Sequence, residues 1–341
     1  MRDLLRRYTL FALVSVVCLF TWSVAGQQNG MNSITGSVIN NAGGKPEAGV
    51  WVIAETKSLQ VPFRKIVVTD DQGRFLVPDL PRAEYELWVR GYGLRDSSRS
   101  KAALGGRVTL MVDNAASPQE AAKIYPSAWW NSLIHPPSKE EMPADFVSQE
   151  HWLASLRGCN QCHQIGMTAT RSFTNPKTWD AIFKMNGGMD GAANRLGRDL
   201  LAKTFVDWAT RIQKGEVPPA PPRPVGIERN FVVSQWDWGA PESFFHDLTS
   251  TDKRNPTLYP YGKVYGADRT GGGRLWVLDP VKNTVEGLLV QPRVSQGYAR
   301  RWIITTRRVQ ARAMKGATVA QHPPGWPVSI IRCSMTKAAY G

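Results

Sequence analysis

Thr69-Asp-Asp-Gln-Gly-Arg-Phe-Leu-Val-Pro-Asp-Leu-Pro-Arg-Ala-Glu-Tyr-Glu-Leu-Trp-Val89 contains two strands and the breaks between them. Asp70-Asp-Gln-Gly73 is turn chemistry, because Asp accepts from its own backbone and Gly takes the left-handed position. Arg74-Phe-Leu-Val77 is a short strand and Leu80-Pro81 ends it. Glu84 to Val89 alternates cleanly, with Tyr85, Leu87 and Val89 on one face. Working outward, Ile34-Thr-Gly-Ser-Val38 is a strand, Asn40-Asn-Ala-Gly-Gly44 a turn, and Gly49-Val-Trp-Val-Ile-Ala54 a strand with Val50, Val52 and Ala54 on one face. Lys65 to Thr69 and Val108 to Val112 complete the set. Short strands at this spacing predict an antiparallel sandwich over residues 33–114. Trp51 and Trp88 have the opposite parity, so they face outward, either as packing surfaces or as stacking platforms for polysaccharide.

The succession Ile34-x-Gly36-x-Val38, Pro46-x-x-Gly49-Val50-x-Val52, Thr69-Asp70-x-x-Gly73-x-Phe75 and Leu80-Pro81-x-x-x-Tyr85-x-Leu87-x-Val89 resembles the carboxypeptidase regulatory-like domain. Ala83 stands where that family usually has Gly. The resemblance implies a seven-stranded transthyretin/Ig-like sandwich of the carbohydrate-binding-like class. Such modules act as spacers, adhesion units or sugar binders, so it implies a fold more than a function.

The strongest chemical signal is Gly158-Cys-Asn-Gln-Cys-His-Gln-Ile-Gly166. Cys159, Cys162 and His163 have the C-x-x-C-H spacing of covalent c-type haem attachment. Two intervening residues let both sulfurs reach the vinyl groups of one porphyrin, and the following imidazole is carried under the ring as proximal iron ligand. A zinc site would need a fourth ligand and a second Cys pair, and a thioredoxin-like dithiol would need a βαβ setting. Ser148 N-caps a helix that delivers Cys159, with Trp152, Leu153 and Leu156 as its stripe. Trp179 to Met185 and Arg198 to Lys214 supply two more helices, so 146–216 reads as a small all-α cytochrome c-like domain. For the distal iron ligand the sequence favours Met189, in the stretch Gly187-Gly-Met-Asp-Gly191 read as a loop. Met185 is the alternative, with His151 and Met167 nearby. Arg157, Arg171 and Arg195 are candidates to pair with haem propionates.

The ends set the context. Residues 1–26 read as an export signal: Arg2, Arg6 and Arg7, an apolar run from Tyr8 to Val24, and small residues before the cleavage point. That predicts a periplasmic or secreted protein, with no membrane association unless the signal stays uncleaved. Residues 115–145 read as connector and 217–226, Pro-rich, as a stiff linker. In 227–286, Gln235-Trp-Asp-Trp238 and Asp252-Lys-Arg-Asn-Pro256 resemble the opening of a virginiamycin B lyase-like β-propeller. Propellers of this kind occur in exported bacterial proteins that join a regulatory-like sandwich to a cytochrome c segment. Only about one blade of sequence is present. The net charge of +14 is uneven: residues 287–341 hold nine Lys or Arg and no acid, leaving 33 basic against 28 acidic side chains before them. That balance argues against a nucleic-acid partner for the globular part, and the tail reads as a frame-shifted end or a basic arm.

The expectation is therefore a multidomain chain of sandwich, cytochrome c-like domain and β-propeller fragment. Its expected function is electron transfer through haem c and its iron to a redox partner protein. The alternatives are a fragment of a propeller enzyme using the haem as electron outlet, and a carbohydrate-binding protein. No catalytic constellation is visible, since His246 with Asp247 or Asp252 is too thin for a general base.

Overall fold

The computed structural model describes residues 32–161, 164–239, 245–250, 261–268, 274–290 and 335–338, with 254–255 and 257–258. The chain forms two compact units. One holds residues 32–114 with the described part of 223–338, and the other holds 115–222. The protein is thus multidomain and rich in β-structure.

In the first unit the sandwich strands are β1 (Ile34–Asn40), β2 (Trp51–Thr56), β3 (Phe63–Val68), β4 (Arg74–Val77), β5 (Tyr85–Arg90), β6 (Ser100–Ala102) and β7 (Arg107–Val112). One sheet has the order β4-β1-β7, and β1 and β7 run parallel. The expected purely antiparallel arrangement is therefore corrected at this pair. The chain leaves β6 in the other sheet and turns through Ala103–Gly106, so β7 enters beside β1 in the same direction. Gly36 lies at this parallel seam, where a Cβ would stand 1.9 Å from the Val108 carbonyl oxygen and against the Phe75 ring. Gly36→Ala is expected to destabilise the sandwich by about 1–3 kcal/mol, read as a lower urea midpoint.

The second sheet contains more than the sequence suggests. Strand β8 (Phe231–Trp236) pairs antiparallel with β3, in register Phe63↔Trp236 and Ile66↔Val233. A short strand β13 (Met335–Ala338) pairs with β8, giving the order β13-β8-β3-β2-β5-β6. Residues read as the opening of a separate propeller thus begin as a sandwich strand, because β3 offers a free hydrogen-bonding edge that β8 satisfies. Trp236 packs on Phe63 at 5.5 Å and donates its indole N–H to Asn283 Oδ1 at 2.9 Å. The remaining strands, β9 (Phe245–Thr249), β10 (Val264–Asp268), β11 (Arg274–Asp279) and β12 (Thr284–Leu289), form a four-stranded antiparallel meander. Val264 and Leu278 of the meander join one continuous core with Ile34, Val38, Val52, Tyr85, Leu87 and Leu110.

The outer face of the six-stranded sheet is polar and closed. Glu55 accepts from Arg64 at 2.8 Å and Arg99 at 2.7 Å. Arg90 and Arg99 lie over the Trp88 ring at 4.9 and 5.2 Å, and Trp51 meets Tyr92 edge-on at 4.8 Å. Both indoles do face away from the core, but guanidinium groups cover Trp88 and leave it only 8% exposed. Burial pushes the Glu55 carboxyl up, yet Arg99 and Arg64 outweigh it and hold the group below its ordinary 4.5. A lowered folded-state value gives stabilisation that is complete above the unfolded value and lost as pH falls through the folded one. Glu55→Gln should therefore lower the urea midpoint at neutral pH, and its deficit should shrink at about pH 3.

The second unit is helical: α1 (Pro118–Ala121), α2 (Gln149–Ser155), α3 (Pro176–Phe183), α4 (Gly187–Leu196) and α5 (Arg198–Gln213), with short 3₁₀ turns between them. Residues 115–145, read as a connector, belong to this unit. Tyr125, Trp130, Ile134 and Met142 are buried in it. The core is aromatic, with Trp179 and Phe205 centroids at 4.6 Å and Trp152 and Trp208 fully buried.

Candidate functional site

Ser148 caps α2 through its side chain, which accepts from His151 N at 3.2 Å. Trp152 then locks the helix in place by donating its indole N–H to the Leu196 carbonyl at the end of α4, 3.0 Å away. The helix tightens into a 3₁₀ segment, Leu156–Gln161, which carries Cys159. Cys159 is a free, partly buried thiol. Burial raises its pKa above the ordinary thiol value, and the nearby Arg195 guanidinium opposes this. Cys162 and His163, the other two residues of the motif, lie outside the described residues.

The distal candidates stand differently from the sequence expectation. Gly187-Gly-Met-Asp-Gly191 is the first part of α4 rather than a loop. Asn186 caps it by accepting from Gly188 N at 2.7 Å and Met189 N at 3.3 Å, which makes helix of a stretch whose composition predicts none. Met189 is half-buried in this first turn. Met185, expected to extend the apolar stripe of α3, lies beyond its end and is 42% exposed. His151 is exposed and touches Phe146 at 5.2 Å.

Three helices are tied by one arginine. Arg198 at the start of α5 pairs with Asp180 of α3 at 3.1 Å and with Asp190 of α4. At the other end of α5, Trp208 donates to the Trp130 carbonyl at 3.0 Å, bringing the 3₁₀ turn Ser127–Leu133 against the helix. The segment after the motif packs on this same turn. A Cβ on Gly166 would stand 1.9 Å from Ser127 O and 3.0 Å from Asn131 Oδ1. Arg171 lies over the Trp130 ring, its guanidinium carbon 3.9 Å from the centroid.

This corner holds a chemical feature that sequence reading missed. Trp130 Nε1, Asn131 Oδ1 and Arg171 Nε are buried without hydrogen-bond partners among the described residues. Desolvation moves the Arg171 guanidinium down to about 10. Two N–H donors, Trp130 Nε1 and the cationic Arg171 Nε, form a donor set for a carboxylate, and haem carries two. On that test the residues fit the group implied by the motif.

No protein-family profile matches the chain, and no curated protein matches it in sequence. Among solved structures, the C-terminal domain of the shaft pilin SpaA from Lactobacillus rhamnosus GG overlaps with a TM-score of 0.22 and 7% identity. The overlap covers 24% of this chain and 97% of that one. A 9R-lipoxygenase from Cyanothece PCC8801 overlaps with a TM-score of 0.21 and 15% identity, covering 83% of this chain and 45% of that one. Similarity at this level carries no argument about this chain.

No helix among the described residues is long and apolar enough to cross a membrane, and the export signal at 1–26 lies outside them. The side chains of His246 and Asp247, and residue Asp252, lie outside them as well.

Proposed function

We infer that the helical unit is an exported electron-transfer module. It would hold haem c by thioethers to Cys159 and Cys162, with His163 as proximal iron ligand. The observation that carries this reading is the C-x-x-C-H spacing at the end of a capped helix. When bound, haem supplies an iron that changes oxidation state by one electron without substrate chemistry. The chain's own residues do the rest. Trp152 and its bond to Leu196 fix the helix that presents Cys159, and the aromatic core around Trp179, Phe205 and Trp208 keeps water from the interior.

Met189 is the distal ligand in this reading, with Met185 as alternative. Its place in the first turn of α4 keeps the thioether half-buried, whereas Met185 is exposed. Met189→Ala is expected to lower the midpoint potential and remove the methionine-to-iron absorption band, and Met185→Ala is expected to change neither. The reverse result would exchange the two assignments.

The first unit, in the same reading, is a regulatory-like sandwich followed by one blade of a propeller similar to virginiamycin B lyase. The four-stranded meander β9–β12 supports this, since a blade has that topology. The deciding experiment is expression of the full chain in a periplasm equipped for cytochrome c maturation, followed by a pyridine haemochrome spectrum. A covalently held c-type spectrum is expected, and its absence would remove the proposal.

A further inference from the structure

The geometry points to Arg171, supported by Trp130, as the anchor for one haem propionate. This rests on the proposed haem c reading and deepens it, because it names the residues that neutralise the cofactor's carboxylate.

Sequence alone offers three arginines and no means of choosing between them. The structure separates them. Arg157 and Arg195 are exposed, where water solvates a guanidinium at no cost. Arg171 is half-buried over the Trp130 ring with its Nε fully buried, and desolvation lowers its pKa. A buried cation without a counter-charge is costly, so native proteins pair such groups or give them to a ligand. Beneath it, the indole N–H of the buried Trp130 has no hydrogen-bond partner among the described residues. The two buried N–H donors belong to side chains in contact with each other, so one carboxylate would accept from both.

The backbone holds this group close behind the motif. Met167 N donates to Gln164 O and Arg171 N to Met167 O, both at 3.2 Å, so two successive turns return Arg171 toward Gln164, the residue after His163. Thr170 Oγ1 ties the turns by donating to the Ile165 and Met167 carbonyls. Arg171 NH2 donates to Thr168 Oγ1 at 3.2 Å and the Arg171 carbonyl accepts from Gln213 of α5 at 3.1 Å, leaving Nε free for a ligand.

An ionised propionate favours ferric iron, and a guanidinium beside it cancels that preference. The test uses the full chain matured with haem, in wild-type form and as Arg171→Gln, Arg171→Lys, Trp130→Phe and Arg157→Gln. Covalent haem is measured by pyridine haemochrome and the midpoint potential by equilibrium titration. Arg171→Gln is expected to keep its haem and to have a lower potential than wild type. Arg171→Lys should recover part of the shift, Trp130→Phe should give a smaller fall by removing one donor while keeping the stacking ring, and Arg157→Gln should match wild type. Haem attached in every protein with the Arg171→Gln and Trp130→Phe potentials unmoved would overturn the assignment and leave another carboxylate as the anion. A wild-type chain without covalent haem would instead overturn the proposed function itself.

Discussion

In the proposed haem c reading, a chain carrying Cys159→Ser and Cys162→Ser together is expected to retain no haem through denaturation, whereas the wild-type protein is expected to retain it on a denaturing gel. In the proposed reading Cys159 and Cys162 would hold the haem as thioethers, each sulfur and its proton adding across one vinyl group. A serine hydroxyl does not make this addition, so the loss is complete rather than graded. Each single substitution leaves one thioether and one unreacted vinyl group, which the pyridine haemochrome band reports as a shift. His163→Ala separates attachment from ligation, because both thiols remain while the proximal imidazole is gone. Retention of haem by the double variant would show that the two sulfurs do not hold it.

The second large effect concerns the scaffold. Trp208 is fully buried in α5, in the aromatic group with Phe205, and its indole N–H meets the Trp130 carbonyl at 3.0 Å. Trp208→Ala is expected to cost about 3–5 kcal/mol from lost packing and the cavity left behind. The Trp130 carbonyl then loses a partner, which adds about 1–3 kcal/mol if no water reaches it. A domain's whole stability is of this order, so the helical unit of the variant should be unfolded or nearly so. Trp208→Phe keeps most of the ring and loses only the bond, so the difference between the two variants in urea separates packing from hydrogen bonding.

The sandwich strands were legible because each buries one face, and a half-buried strand shows its period of two in the sequence. The ranges for β1, β4, β5 and β7 follow the alternation to within a residue or two at each end. Strand β6, only Ser100–Ala102, was not legible, because three residues without a buried side chain leave no pattern. The outward parity of Trp51 and Trp88 was legible too, but the arginines that cover Trp88 come from β5 and from Arg99, just before β6, and no local pattern predicts that meeting.

The helical unit was legible in its caps and stripes and illegible in its boundaries. Ser148 and the Arg198–Gln213 stripe announce their helices. The Gly-rich stretch 187–191 does not, since its helix depends on the Asn186 cap and on Arg198 reaching back to Asp190. Residues 115–145 show no period at all. They belong to the unit because the Trp130 and Leu133 carbonyls accept from Trp208 and Arg211 of α5.

By itself, the sequence determined the local chemistry: which residues alternate, which cap, and which two thiols and imidazole stand at haem-attachment spacing. These properties depend only on neighbours along the chain. The tertiary structure decided what distant segments do for one another. It gave Phe231–Trp236 to the free edge of the sandwich, placed β7 parallel to β1, and set Arg171 over Trp130 with the Nε of one and the Nε1 of the other buried and without hydrogen-bond partners among the described residues. Burial is a property of the assembled molecule, so the cost of an unpaired charge, and the ligand it implies, is set only when the chain has folded around it.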